Sequence, residues 1–265
     1  MDEPAKVLTI AGSDSGGAAG LQADLKTWTA LGVYGMSVVT AVTAQNSMQV
    51  KAIQSMRADF VSAQLEAVLS DYGAQSVKTG FIGQIGLIAA VSRGLMKFEI
   101  SHLVVDPVLV NHLGRSMFAS EVVEAYRTKL LPLAELITPN VYEAALLSGL
   151  PVDKMRESGG LWEAFEKLHA MGSANVLITG SREEDQMVDY YSDGSRIHRL
   201  AVTRIETENL HGSGDTLSAA ICAFLARGYA LAEAINEAQR FTAKAIHSAA
   251  SWHLGQGHGP LSHLD

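Results

Sequence analysis

A regular alternation of short apolar runs with helical repeats constrains this chain more than any other feature. Residues 7–10 form the first run, and 36–44, 76–79, 102–105, 136–138 and 175–179 form the next five. Between them apolar residues recur at helical spacing. Leu21, Leu25, Trp28 and Leu31 share one face, and similar patterns occupy 57–69, 84–96, 121–130, the stretch from 141, and 162–171. Strands that read as continuous apolar runs are buried on both faces, so they pair in parallel, with helices crossing over on either side. The expectation is an α/β fold with a mostly parallel central sheet and helices on both faces. Two later runs, 187–191 and 197–202, flank Asp193-Gly194 and predict a hairpin. Two helices, 216–226 and 231–251, close the chain. No linker or repeat divides the sequence, so residues 1–265 are expected to form one domain.

In an open parallel sheet, ligands bind outside the carboxyl ends of the strands. Those ends carry the polar residues here. After the first run comes a glycine- and serine-rich loop, Ala11 to Gly20; the second ends in Gln45-Asn46; the fourth ends in Asp106-Pro107; the fifth is followed by Asn140 and Glu143. Finally, Leu210-His211-Gly212-Ser213-Gly214-Asp215 leads into a helix of small apolar residues. A glycine turn lets backbone N–H groups converge, and the helix start adds a positive dipole end, which together suit a phosphate. Asp215 stands where a general base is useful. Plain structural roles fit the same residues. Ser213 or Asp215 can cap the last helical section, Asp106 can cap a turn, and Asn140 with Glu143 matches a capping box. The first loop is neither G-x-G-x-x-G nor a Walker A loop; close approach of its backbone to a ligand accounts for its small polar residues better than turn chemistry does. Phosphoryl transfer needs an anion cradle, a Mg²⁺ site built from one or two acids, and a group that orients or deprotonates the acceptor. This set of residues can supply each.

Other features narrow the function. The formal net charge is −8 with no basic block, which argues against nucleic-acid or membrane-surface binding. Cys222, the single cysteine, permits no intramolecular disulfide and reads as a buried small hydrophobe. No secretory pattern opens the sequence and no apolar run reaches membrane-spanning length, so a cytoplasmic protein is expected. Trp28, Trp162 and Trp252 read as packing residues and Lys244 as a surface charge. His253, His258 and His263 recur every five residues, a spacing that fits neither a helix face nor a compact zinc motif.

A set of motifs covering nearly the whole chain points further. They are Ala11-Gly12-Ser13-Asp14-Ser15-Gly16-Gly17 with Gly20-Leu21-Gln22-Ala23-Asp24-Leu25-Lys26-Thr27, then Thr43-Ala44-Gln45-Asn46, Lys78-Thr79-Gly80, Asp106-Pro107-Val108, Ile137-Thr138-Pro139-Asn140 with Glu143-Ala144, His211-Gly212-Ser213-Gly214, and Gly257-His258-Gly259-Pro260. On these the chain resembles the vitamin kinases of the ribokinase superfamily. Within them it is most similar to the hydroxymethylpyrimidine/phosphomethylpyrimidine kinases of thiamine synthesis, with pyridoxal kinases as near relatives. The resemblance implies a three-layer αβα ribokinase-like fold, ATP and Mg²⁺ as cofactors, and a homodimer. It implies that Asp24 and Gln45 bind the aminopyrimidine and its hydroxymethyl group, in a pocket lined by Gly12, Ala19 and Phe81. Asp106 and Glu143 would hold Mg²⁺, directly or through water, and Asn140 would lie near the ATP phosphates. Gly212, Ser213 and Gly214 would form the anion hole, with Asp215 as base. Three departures stand out. Asp215 replaces the family's usual cysteine, Thr179 stands where a lysine usually meets the ATP phosphates, and Asn111-His112-Leu113-Gly114-Arg115 replaces a Lys-Ser-Gly. The activity implied is ATP-dependent phosphorylation of 4-amino-5-hydroxymethyl-2-methylpyrimidine and of its monophosphate. A pyridoxal/pyridoxine kinase and a non-catalytic pyrimidine-phosphate sensor are the alternatives. Gln45 with Asp24 favours the pyrimidine, while the absent lysine leans toward pyridoxal.

Overall fold

The structure, a computed structural model, describes residues 3–157 and 159–264. One nine-stranded sheet has the order β3-β2-β1-β4-β5-β6-β7-β8-β9. Its strands are β1 (Lys6–Asp14), β2 (Tyr34–Gln45), β3 (Val50–Ser55), β4 (Ser76–Thr79), β5 (His102–Val105), β6 (Leu136–Ile137), β7 (Asn175–Glu183), β8 (Gln186–Ser192) and β9 (Ile197–Thr203). The six central strands, β2 to β7 in that order, pair in parallel, whereas β3 at one edge and β8 and β9 at the other are antiparallel. The α/β fold expected from the sequence is the fold observed.

Both faces of the central strands are buried, which explains their continuous apolar runs. Val77, Val105, Ile137 and Val176 face the core shared with α2 (Ala58–Asp71), α3 (Ile85–Lys97), α4 (Ser120–Ala125), α5 (Val141–Ser148) and α6 (Gly160–Ala170). Val104, Leu136 and Leu177 face the other core, against α1 (Gly20–Ala30), α7 (Ser213–Ala226) and α8 (Leu231–Ala249). Trp28 is fully buried there, and its indole N–H donates to the Ala219 carbonyl at 2.8 Å, tying α1 to α7. Cys222 is buried in the same core, as expected.

Three local expectations need correction. The strand β3 was not expected; every residue from Val50 to Gln54 is exposed, so it lacks the burial pattern that marks a strand. Trp162 is not a packing residue but half exposed on the first turn of α6. The helix α7 begins at Ser213 rather than 216, so Ser213, Gly214 and Asp215 form its first turn.

Candidate active site

The site is built around the start of α7. Gly212 precedes the helix with φ +86°, a conformation that favours glycine. A Cβ there would also collide with the Ala18 carbonyl of the first loop, so the two loops meet at a distance only glycine permits. Among the described residues no side chain caps this helix. The capping role open to Ser213 or Asp215 is therefore not taken up. The Ser213 N–H donates to the Leu210 carbonyl at 3.1 Å, and Thr216 makes the first bond back to Gly212 at 2.9 Å. Among the described residues the Gly214 and Asp215 amides have no such partner, which leaves them free at the positive end of the helix dipole.

Under this turn lies a residue to which no role had been assigned. Strand alternation turns Ser76 and Lys78 of β4 toward α7. Lys78 is fully buried, and its ammonium donates to Asp24 Oδ1 at 2.6 Å and to Asp215 Oδ1 at 3.0 Å, with Asp106 Oδ2 at 3.9 Å. Burial works against the ammonium, but the three carboxylates, Asp24 foremost, outweigh it and hold Lys78 charged, above the ordinary lysine range. One cation shared by three acids leaves the acids undercompensated. Burial pushes Asp24 up to about 7 and Asp106 up to about 6, with Lys78 pulling both down and the Asp215 charge pushing them up.

This geometry corrects the expectation for Asp24. Its carboxylate is fully buried, taking a hydrogen bond from Thr9 Oγ1 at 2.6 Å and the one from Lys78. It lies beneath the site and not in the pocket wall. Gln45, the last residue of β2, lies against the α7 loop. Its side-chain Nε2 is 3.1 Å from His211 Nε2, joining the end of β2 to the α7 loop. Gly12 and Phe81 come together, with the Phe81 ring in the space a Gly12 side chain would need. Ala19 is half-buried at the end of the first loop. That loop is organised from within: the buried Asp14 carboxylate accepts the N–H groups of Gly16, Ala18 and Ala19 at 2.8–3.0 Å. Those amides are consumed within the loop, whereas the Gly214 and Asp215 amides at the start of α7 are not.

Asp106, just beyond β5, accepts a hydrogen bond from Ser218 Oγ of α7 at 2.8 Å. Asn140 and Glu143 form the capping box in full. Asn140 Oδ1 accepts the Tyr142 and Glu143 amides, and Glu143 Oε2 accepts the Asn140 amide. Glu143 Oε1 accepts the Leu109 amide at 3.0 Å, binding the loop after Asp106 to α5. Burial, then the neighbouring Asp106 charge, pushes Glu143 up to about 8. Thr179 lies beside Asn140 and donates its N–H to the Pro139 carbonyl at 2.9 Å. Among the described residues no three His, Cys, Asp or Glu side chains form a metal cage. Two buried acids, Asp106 and Glu143, nevertheless suit a hydrated Mg²⁺, which keeps several waters and uses one or two carboxylates with substrate phosphates. Asp106 Oδ1 has no hydrogen-bond partner among the described residues, and Glu143, with both oxygens engaged, is placed to act through water.

The parallel sheet, with its polar cluster and open helix terminus at the carboxyl ends of the strands, defines a ribokinase-like phosphotransferase. A family model described as phosphomethylpyrimidine kinase matches residues 14–262. The chain belongs to that family. It is 45% identical over 258 residues to a hydroxymethylpyrimidine/phosphomethylpyrimidine kinase of Rhizobium meliloti, covering 97% of this chain and 96% of that protein. It is 42% identical to a thiamine biosynthetic bifunctional enzyme of Arabidopsis thaliana, but spans only 50% of that protein's length. A crystal structure of Bacillus subtilis pyridoxal kinase in complex with ADP superposes with a TM-score of 0.91 at 36% identity, covering 98% of each chain.

Proposed function

We propose that residues 1–265 act as one kinase domain that transfers the ATP γ-phosphoryl group to the hydroxymethyl arm of 4-amino-5-hydroxymethyl-2-methylpyrimidine. The carrying observation is the start of α7. Two amides stand open to a phosphate, and beside them Asp215 keeps Oδ2 free of any partner among the described residues. In this reading the Gly212-Ser213-Gly214 turn cradles the transferring phosphate, and Asp215 accepts the hydroxyl proton as the oxygen attacks. Gln45 orients the ring, with Gly12, Ala19 and Phe81 as walls. Asn140 and Thr179 lie toward the nucleotide. Asp106 would hold Mg²⁺, with Glu143 acting through water; the ion, when bound, draws charge from the phosphate oxygens. The identity to kinases named for this pyrimidine supports the acceptor.

A pyridoxal/pyridoxine kinase is the second reading, favoured by the close superposition on the Bacillus enzyme. The two substrates share a flat heteroaromatic ring with a hydroxymethyl arm. Steady-state ADP release with each acceptor separates them. The pyrimidine alcohol is expected to give the higher kcat/KM; pyridoxal ahead of it would select the second reading, and ADP release with neither would return the sensor reading.

We also propose a homodimer through the β2–β3 ribbon, where Val42, Met48, Val50 and Ile53 are all about half exposed. Sedimentation equilibrium at micromolar concentration is expected to give twice the chain mass. Among the described residues no helix is long and apolar enough to cross a membrane, and use of ATP supports a cytoplasmic setting.

A further inference from the structure

Lys78 is the least economical residue in the fold. A fully buried ammonium is tolerated only when its charge is compensated and its donors are satisfied. Here the compensation comes from three separate elements: Asp24 on α1, Asp106 beyond β5 and Asp215 on α7. Gly80, two residues on and facing the same way, leaves the space above. A side chain there would approach Lys78 Nζ to 3.8 Å and Asp215 Oδ1 to 4.0 Å.

What Lys78 does follows from the position of Asp215 in its helix. Asp215 is the third residue of α7, the position from which an acidic side chain reaches back to the amide of the residue before the helix, here Gly212. An aspartate there, with the Gly212 amide unpartnered among the described residues, has every reason to cap its own helix. It does not: no side chain caps α7, and Asp215 Oδ1 instead accepts from Lys78 at 3.0 Å. Resting on the kinase reading above, we propose that Lys78 is a positioning residue that keeps Asp215 from capping α7. One contact thereby frees both halves of the site: Asp215 Oδ2 stays available to the acceptor hydroxyl, and the Gly212 amide, at the head of the open turn, stays available to phosphate. Without Lys78 the carboxylate falls back onto the Gly212 amide, losing the base and obstructing the anion turn together.

Two measurements test this. Lys78→Met alone leaves buried carboxylates unpaired, which threatens folding, so the working variant is Lys78→Met with Asp24→Asn. It removes one charge of each sign and keeps an acceptor for Thr9. Calorimetry with ADP reads the anion turn without any turnover. The double variant is expected to bind ADP about tenfold more weakly, and adding Asp215→Ala is expected to restore most of that affinity, because no carboxylate is left to fill the site. ADP affinity that is unchanged in the double variant, or still lost in the triple one, overturns the proposal. The second measurement is kcat with the pyrimidine alcohol. The double variant is expected to lose about a hundredfold in the wild-type background but less than about threefold in an Asp215→Asn background, since groups acting as a unit are not additive. Full additivity, or wild-type kcat in the double variant, shows that Lys78 merely neutralises Asp24. A wild-type protein with no turnover defeats the kinase reading, while the ADP measurement still decides the role of Lys78.

Discussion

Replacing Asp215 by Asn separates two acceptors that the family handles in succession. Asn is nearly isosteric, and its amide oxygen can still accept from Lys78, where Asp215 Oδ1 now does so at 3.0 Å. The fold should therefore stand, with a melting temperature close to wild type. What is lost is a proton acceptor. An alcohol must give up its proton to become phosphorylated, and removing a general base slows such steps by about 10²–10⁴-fold, or about 3–5.5 kcal/mol in the barrier. A phosphate monoester is already ionised and needs no base. It suffers the carboxylate as a like charge: at about 5 Å and an effective dielectric near 20, that repulsion is about 3 kcal/mol per unit charge, reduced by the adjacent Lys78. Losing the charge therefore offsets any loss of orientation, and kcat/KM for the monophosphate should change by less than about tenfold. The assay is coupled ADP release with the pyrimidine alcohol and with its monophosphate, wild type against Asp215→Asn. Equal proportional losses on both acceptors would refute the assignment of Asp215 as base.

Other consequences are equally open to test. Gly212→Ala forces a side chain onto a φ of +86° and against the Ala18 carbonyl; a loss of about 1–3 kcal/mol is expected, read as a lower denaturant midpoint, and an unchanged midpoint contradicts the tight loop–loop approach. Gln45→Ala should raise KM for the ring acceptor about tenfold, as loss of one or two hydrogen bonds implies, with KM for ATP unchanged; an effect on ATP alone would move Gln45 out of the acceptor pocket. The buried acids make stability depend on pH. Burial raises Glu143 from 4.5 to about 8, and Asp24 and Asp106 shift the same way. The folded state thus binds protons that the unfolded state has released, so this contribution is complete below about pH 4.5 and is lost as pH rises toward 8. The metal-free protein should melt at lower temperature at pH 8 than Glu143→Gln does relative to their difference at pH 5; parallel curves contradict the burial argument.

Much of this arrangement was legible in the sequence because strand burial and strand-end chemistry both leave local marks. The apolar runs at 76–79 and 102–105 coincide with β4 and β5, since two-sided burial admits few alternatives. The Asn140–Glu143 capping box was readable for the same local reason. What the sequence concealed depends on partners far away in the chain. Lys78 looks like any polar residue in a short run, and its meaning appears only when Asp24, Asp106 and Asp215 converge on it. The available signal was its place in a central parallel strand, where a charge has to be paired. Asp24 misled for the converse reason: the family resemblance implied a ring ligand, yet Asp24 is consumed by Lys78 and Thr9. Asp215 hid its own oddity, because a sequence shows that an aspartate is able to cap a helix but not that a buried lysine holds it back.

The central claim is that the open turn at α7 and the Asp215 beside it phosphorylate a ring-borne hydroxymethyl group. Mass spectrometry of 4-amino-5-hydroxymethyl-2-methylpyrimidine after incubation with stoichiometric ATP, Mg²⁺ and the protein tests it most directly. The account predicts that the alcohol gains one phosphoryl group on its hydroxymethyl oxygen as ATP becomes ADP, and that Asp215→Asn nearly abolishes this. An alcohol recovered unmodified, or one modified equally well by Asp215→Asn, would contradict it.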